Sequence, residues 1–178
     1  MEIDIQTSDK VTQKVIDILL NVGYSTTKLL EILTGKTLEV NVIEQGTMPS
    51  FELPDEYREL LSCSNTYMKR IVSLHSKSNV FSDNIVIASW DLVSEDIKKG
   101  LLAGKTPLGK LTQRHESKRV LLWSGILDAK DLYGYFNHKK FTARKYPVKK
   151  YLLYVDNSCW FYLLEVFHID EIVKAFWE

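Results

Sequence analysis

Apolar residues near the start of the chain are spaced as in helices. Between residues 11 and 20 the apolar side chains fall on one helical stripe. Gly23 follows, where a glycine readily takes the left-handed conformation that ends a helix. Ser25 can cap a second helix, which Gly35 ends. We therefore predict two N-terminal helices, preceded by a polar segment, residues 1–10, that is expected to fray.

After residue 37 the pattern changes to alternation of apolar and polar residues, which is typical of β-strands. Strands are predicted over 38–43, 67–74, 84–93, 120–127, Lys145–Val155 and Ser158–Phe167. Asp156 and Asn157 form a two-residue turn before the last strand, because both residue types tolerate positive φ. The polar segment 76–83 is interpreted as a hairpin loop. Short helices are predicted over 55–61, over 95–104, after Pro107 and over Ile169–Trp177.

Helices that precede a run of strands joined as hairpins indicate an α+β fold. The six strands are expected to form one antiparallel sheet with the helices on one face. At 178 residues the chain fits a single domain, 1–178, with 169–178 as a C-terminal helical extension. Apolar residues make up 45% of it, which is enough for a core without metal or disulfide support.

The charge balance argues against a nucleic-acid partner. Lys plus Arg and Asp plus Glu number 23 each, whereas nucleic-acid binders usually carry a basic excess or a basic face. The dense basic stretch at 138–150 alternates with apolar residues and is interpreted as the solvated face of a strand.

Nothing in the sequence indicates a membrane segment, a leader or a metal site. There is no apolar stretch of about 20 residues, and no charged start leads into an apolar run. Cys63 and Cys159 lie far apart, and the four histidines stand in unrelated contexts without metal-ligand spacing. We expect a cytoplasmic protein with free thiols and no contact with membranes. The oligomeric state does not follow from the sequence.

Two charged residues stand where the strand pattern is otherwise apolar. Glu165 lies between Leu163 and Phe167 on one face of the last strand, and Arg70 has similar apolar neighbours on its strand. A buried carboxyl finds a partner or keeps its proton through a raised pKa, as a general acid requires. A buried arginine cannot lose its charge and needs an anion. Either the two charges are structural, paired with each other or reaching solvent at the strand ends, or they act on a ligand in a shared cavity. Periodicity leaves both possibilities open.

Five segments, in order, resemble the chorismate lyase family. They are Ser25-Thr26-Thr27-Lys28, Val40-Asn41-Val42-Ile43-Glu44, Tyr67-Met68-Lys69-Arg70, Gly104-Lys105-Thr106-Pro107-Leu108-Gly109 and Leu163-Leu164-Glu165-Val166-Phe167. The resemblance implies a six-stranded antiparallel sheet with helices on one face and two helical flaps over an internal ligand cavity. It also implies elimination of pyruvate from chorismate to give 4-hydroxybenzoate, without a metal or cofactor.

The same resemblance assigns roles to residues. Arg70 would hold the ring carboxylate, helped by backbone groups near Thr26 and Leu108, one in each flap. Glu165 would lie near the departing enolpyruvyl group and act as proton donor or relay. Both are therefore predicted to be catalytic, and Arg70, Thr26 and Leu108 to bind the substrate.

The chain also departs from the family pattern. Ser89 and Trp90 stand where the family has glycine and a basic residue, so we predict that they reshape the substrate-binding wall. Thr26 replaces a methionine that usually touches the ring. A relative acting on another aromatic or enolpyruvyl acid, in quinone or secondary-metabolite synthesis, is therefore an alternative. A non-catalytic aromatic-acid-binding module, like the ligand domains of some transcription regulators, is another. Arg119 could offer a second cation to a dicarboxylate, although a surface role is the simpler interpretation.

Overall fold

Six antiparallel strands form one sheet in the computed structural model, which describes residues 5–137 and 139–178. The predicted α+β architecture is confirmed. The order across the sheet is β1-β2-β3-β6-β5-β4, so β6 lies near the centre and β1 and β4 are the edges. The strands are β1 (Glu39–Pro49), β2 (Thr66–Ser76), β3 (Asn79–Ser89), β4 (Ser117–Asp128), β5 (Lys145–Val155) and β6 (Ser158–Phe167).

Seven α-helices accompany the sheet in the described part of the chain. They are α1 (Ile5–Asn21), α2 (Thr26–Thr34), α3 (Asp55–Arg58), α4 (Glu95–Ala103), α5 (Leu108–Leu111), α6 (Ala129–Leu132) and α7 (Ile169–Trp177). The first helix begins well before the predicted position, and residues 1–4 of the segment expected to fray lie outside the described residues. A 3-10 turn, Trp90–Leu92, replaces the predicted end of the third strand.

The longer helices cover one face of the sheet. Apolar side chains of α1, α2 and α7 pack on Leu74, Phe81 and Phe167, while α4 and α5 pack nearer the middle of β3, β5 and β6. The opposite face carries a separate apolar cluster, which is covered by the short helix α6 and the segment after it and by residues 53–61. Because β6 is covered on both faces, nearly all of its side chains are buried.

Several predicted helix ends and turns are confirmed. Ser25 is the N-cap of α2, and Gly35 and Gly104 end α2 and α4 with φ of 65° and 68°. Asp156 and Asn157 form the tight turn between β5 and β6 with positive φ at both residues. Local chemistry therefore sets these boundaries, as the sequence suggests.

The hairpin between β2 and β3 is tighter than predicted. Ser76 pairs with Asn79, so Lys77 and Ser78 alone make the turn, and the expectation of a loop over 76–83 is wrong. The first residues of β3 are mostly polar, so the apolar pattern does not show where the strand begins. Asp83 is fully buried and accepts hydrogen bonds from Ser73 Oγ (2.5 Å) and from Lys139. Its Oδ2 also lies 2.6 Å from His168 Nε2. A strand that buries such a network lacks the apolar alternation by which strands are recognised.

Candidate active site

A small cavity lies between the sheet and the two flaps, α2 and α5. Its volume is about 30 Å3, so it is narrow. Apolar walls come from five strands and from the start of each flap. The polar and charged side chains that line it are Ser25, Thr26, Thr27, Arg70, Asn84, Arg119, Tyr151 and Glu165. Arg70 and Glu165 therefore share one cavity, on the helix-covered face of the sheet.

Glu165 is held in the cavity wall by two hydroxyl donors. Thr26 Oγ1 donates to Oε2 at 2.6 Å, and Tyr151 Oη donates to Oε1 at 2.9 Å. Burial raises the pKa of the Glu165 carboxyl, although the Thr26 and Tyr151 hydrogen bonds and the nearby charges of Lys149 and Arg119 oppose this rise. The carboxyl is consequently suited to holding a proton that it can later donate.

The interpretation of the basic stretch at 138–150 as a solvated face is wrong for Lys149, which is buried. Its partner across the β5–β6 ladder is Glu165, and only 4% of its surface is exposed. Its Nζ donates to the carbonyl oxygens of Val22 (2.6 Å) and Leu19 (3.4 Å), at the C-terminal end of α1. Burial lowers the pKa of Lys149. The lysine thus ties α1 to the sheet beside the carboxyl, and His138 of the same stretch lies outside the described residues.

Arg70 is buried without a counter-ion. Only 1% of its surface is exposed, and its Nε and Nη2 atoms have no hydrogen-bond partner within residues 5–137 and 139–178. Burial lowers the pKa of Arg70 to about 10, so the side chain is still charged at neutral pH. The structural Arg70–Glu165 ion pair, one of the possibilities left open, is not among the ion pairs of the described residues. A buried cation of this kind fits an anionic ligand.

Two further side chains in the cavity have unpaired polar atoms. Asn84, on β3, is paired with Glu165 across the β3–β6 ladder, and its Oδ1 has no partner in the described structure. Arg119 reaches the cavity from the edge strand β4, and its Nε is also buried without a partner. Neither Asn84 nor Tyr151 stands out in the sequence, and a surface position is the simpler interpretation for Arg119 there. A polar residue on the cavity-facing side of a strand is the signal that could have found Asn84.

The flaps meet directly above the cavity. Gly109 lies so close to α2 that an added Cβ would clash with Ser25 Oγ and lie 3.0 Å from Thr27 Oγ1. Lys110 Nζ also donates to Glu31 Oε1 at 2.6 Å, which links α5 to α2. A ring-sized ligand needs more room than this closed arrangement leaves, so entry requires the flaps to separate.

The predicted substrate-binding residues divide into two groups. Thr26 and Leu108 line the cavity, at the first turns of α2 and α5, and stand beside Arg70 and Glu165 there. Ser89 and Trp90 are not among the lining residues. The Ser89 hydroxyl instead donates to the Ser62 carbonyl at 2.7 Å, and the Trp90 ring lies 5.6 Å from Lys98 Nζ. The geometry therefore does not bring Ser89 and Trp90 to this cavity.

Three other features of the described residues concern metal ligands, thiols and membrane helices. No group of three His, Cys, Asp or Glu side chains could hold a metal ion within 5–137 and 139–178. Cys63 and Cys159 are free, and burial raises the pKa of the Cys159 thiol to about 11. None of the described helices is long and apolar enough to cross a membrane.

Comparisons with known proteins identify a family and a relative. The model of the family described as Chorismate pyruvate-lyase Rv2949c-like matches residues 19–172. The protein named "Putative lyase MJ0807" from Methanocaldococcus jannaschii is 27% identical over 161 residues, which cover 88% of this chain and 80% of that protein.

Solved structures of similar shape include two bacterial proteins. A transcriptional regulator of the GntR family from Bacillus cereus has a TM-score of 0.52 at 11% identity and covers 73% of this chain and 90% of its own. The gene product SA0254 from Staphylococcus aureus subsp. aureus N315 has a TM-score of 0.54 at 11% identity and covers 77% and 87%. At such low identity these structures support the fold alone.

Proposed function

This chain belongs to the Rv2949c-like chorismate pyruvate-lyase family, and on that basis we propose that it eliminates pyruvate from chorismate to leave 4-hydroxybenzoate. One observation supports this activity above the others: Arg70, buried and unpaired, and Glu165, a buried carboxyl with a raised pKa, line the same narrow cavity. A relative named as a lyase is consistent with it.

The reaction requires one C–O bond to break and one proton to leave the ring. The bond between a ring carbon and the ether oxygen of the enolpyruvyl group breaks. The neighbouring ring carbon, which bears the hydroxyl, loses its hydrogen as a proton, and that electron pair completes the aromatic ring. The released enolpyruvate takes up one proton at its methylene carbon and becomes pyruvate, so protons lost and gained balance.

Glu165 is the proposed proton donor and relay. Its burial favours the neutral acid, which can protonate the departing enolpyruvyl group. The carboxylate that results is then placed to receive the proton that leaves the ring. Thr26 and Tyr151 hold both oxygens of the carboxyl in fixed positions, which reduces the rearrangement needed during transfer.

Arg70 is the proposed partner of the ring carboxylate. A carboxylate there would satisfy the Nε and Nη2 donors, which otherwise remain buried and unpaired. The first turn of α2, which begins at Thr26 beside the cavity, adds backbone N–H groups that have no partner within the helix. Leu108 lies on the opposite flap and closes the apolar wall around the ring.

Turnover of chorismate by the purified chain tests the proposal. We expect pyruvate and 4-hydroxybenzoate in equal amounts from the unaltered protein. Glu165→Gln, which keeps the shape but cannot donate the same proton, is expected to lower kcat at least about a hundredfold. Arg70→Gln is expected to raise KM and lower kcat/KM, and exposed Glu59→Gln serves as a matched control with unchanged kinetics.

The outcomes separate the candidate functions. A folded protein that binds 4-hydroxybenzoate but never releases pyruvate from chorismate would contradict the lyase activity. It would favour a non-catalytic aromatic-acid-binding module, or an enzyme for a related acid. Full activity of Glu165→Gln would leave the lyase reaction standing but remove Glu165 from its mechanism.

A further inference from the structure

The cavity contains a second arginine that the proposed roles leave unused. Arg119 lies on the edge strand β4, opposite Leu153 of β5, and both residues line the cavity. Its Nε is buried and has no hydrogen-bond partner among the described residues. A guanidinium has a planar fork of N–H donors, with which a carboxylate can pair in two parallel hydrogen bonds.

The two arginines lie on strands toward opposite edges of the sheet and line the same cavity. Arg70 is on β2 and Arg119 is on β4, with β3, β6 and β5 between these strands. At a strand spacing of about 4.8 Å, their backbones are roughly 19 Å apart, and their long side chains reach inward from the two sides. Glu165, on β6, lies between them.

Arg119 interacts electrostatically with the groups around the carboxyl. Its positive charge lowers the pKa values of Glu165, Tyr151 and Lys149. Arg119 therefore forms a cationic end of the cavity that interacts with the proposed acid, while Arg70 reaches the same cavity from β2.

We propose that Arg119 binds a second carboxylate of the substrate, so that the site selects dicarboxylic acids in which one carboxylate lies on the ring and the other on an ether-linked arm. This inference rests on the proposed function, since it assigns the arm carboxylate of the enolpyruvyl group to Arg119 and the ring carboxylate to Arg70. The scissile C–O bond then lies beside Glu165.

Lys149 is a weaker candidate for that role. Its ammonium group already donates to two carbonyl oxygens at the end of α1, whereas Arg119 has a free buried donor. Arg119 also explains how the enzyme distinguishes substrate from product. The aromatic product has one carboxylate and no arm, so it uses Arg70 alone, whereas the substrate uses both ends of the cavity.

Binding of two unreactive probes tests the inference without any turnover. The probes are 3-(carboxymethoxy)benzoate, which has a ring carboxylate and an ether-linked carboxylate, and 3-methoxybenzoate, which has the ring carboxylate alone. Each is titrated calorimetrically into the full chain and into Arg119→Gln, Arg119→Lys and Arg70→Gln. Lys118→Gln is the matched control, because this neighbouring side chain is exposed. Circular dichroism confirms that each variant is folded.

We expect the unaltered protein to bind the dicarboxylate at least about tenfold more tightly than the monocarboxylate, an effect typical of one charged pair in a partly buried site. Arg119→Gln should remove that preference and leave the affinity for 3-methoxybenzoate within about twofold of the unaltered protein. Arg119→Lys should restore part of the preference. Arg70→Gln should weaken the binding of both probes. Equal affinity of the unaltered protein for both probes, or equal losses for both in Arg119→Gln, would overturn the inference. Selective dicarboxylate binding without chorismate cleavage would instead contradict the proposed lyase activity and leave the role of Arg119 intact.

Discussion

Replacing Arg70 by methionine should stabilise the ligand-free protein while destroying its ligand site. Arg70 is 1% exposed and has no counter-ion among the described residues. A charge held in this way opposes folding, because it has lost its water and gained no partner. Methionine fills a similar volume with an unbranched apolar chain, so it removes the charge without opening a large cavity.

The magnitude follows from the pKa of the guanidinium. Burial lowers the pKa of Arg70 from its ordinary value to about 10. At about 1.4 kcal/mol per pKa unit, this drop corresponds to on the order of 3 kcal/mol against the charged form in the folded state. Loss of packing by the arginine stem offsets part of the gain. We therefore expect Arg70→Met to raise the free energy of unfolding by about 1–3 kcal/mol, within the range seen when buried charges are replaced by apolar residues.

Urea denaturation and thermal melts measure this change directly. For a chain of this size each kcal/mol raises Tm by about 2–4 °C. Addition of 4-hydroxybenzoate should raise Tm of the unaltered protein and leave that of Arg70→Met unchanged. Arg114→Met is the control: Arg114 is exposed, so its replacement should change stability by less than about 0.5 kcal/mol. If Arg70→Met instead destabilises the ligand-free protein by more than about 1 kcal/mol, the arginine has a structural partner and the reasoning is wrong.

Three other changes test the flaps and the acid. Gly109→Ala should push α5 away from α2 and weaken binding of 4-hydroxybenzoate several-fold in calorimetry, whereas Gly134→Ala, with nothing within 4 Å of the added Cβ, should have no effect. Lys110→Met should speed product dissociation in stopped-flow experiments by less than about fivefold, because its bond to Glu31 is partly exposed, and high salt should shrink the difference. Glu165→Gln should flatten the pH dependence of stability. The raised pKa of Glu165 means that the native protein loses stability as pH rises from about 4.3, the usual glutamate value, through the folded pKa. Unfolding curves at a series of pH values would contradict this if the variant and the unaltered protein lost stability in parallel.

The central hairpin of the fold could be predicted almost residue by residue. Strands β5 and β6 and the turn at Asp156 and Asn157 lie where the pattern places them. Helix α2 begins after Ser25 and ends at Gly35, also as predicted. In each case the deciding information is local: a residue that tolerates positive φ, a capping hydroxyl or a run of bulky apolar side chains.

The β2–β3 hairpin shows where local information fails. Asp83 and Ser82 are buried in β3, although both residue types are common in loops. Asp83 is tolerated because Ser73, Lys139 and His168 surround its carboxylate, and two of these partners lie far away in the sequence. No pattern within β3 can reveal such partners, so the strand was placed too late and the loop made too long.

The neighbours of Glu165 depend on a register shift that the sequence does not reveal. A regular hairpin around Asp156 and Asn157 would place Val148 opposite Glu165. An irregularity between Leu153 and Tyr154 moves the pairing by one residue, so that Lys149 takes that position. Because a shift of one residue moves every side chain to the other face, the same irregularity also turns Tyr151 toward the carboxyl. The candidate acid was therefore visible in the sequence, but the positions of Lys149 and Tyr151 beside it were not.

The arrangement around Glu165 reconciles two opposed requirements of a proton donor. Before transfer the carboxyl must keep its proton, and burial at the centre of the sheet favours this state. After transfer the same group is an anion in an apolar wall, which would be costly without partners. Thr26 and Tyr151 already point their hydroxyl groups at its two oxygens, and the charges of Lys149 and Arg119 also favour the ionised form. These contributions oppose the effect of burial without reversing it, because the pKa of Glu165 remains above its ordinary value. In the proposed reaction the neutral acid is thus favoured by burial, while its anion meets donors that need not move.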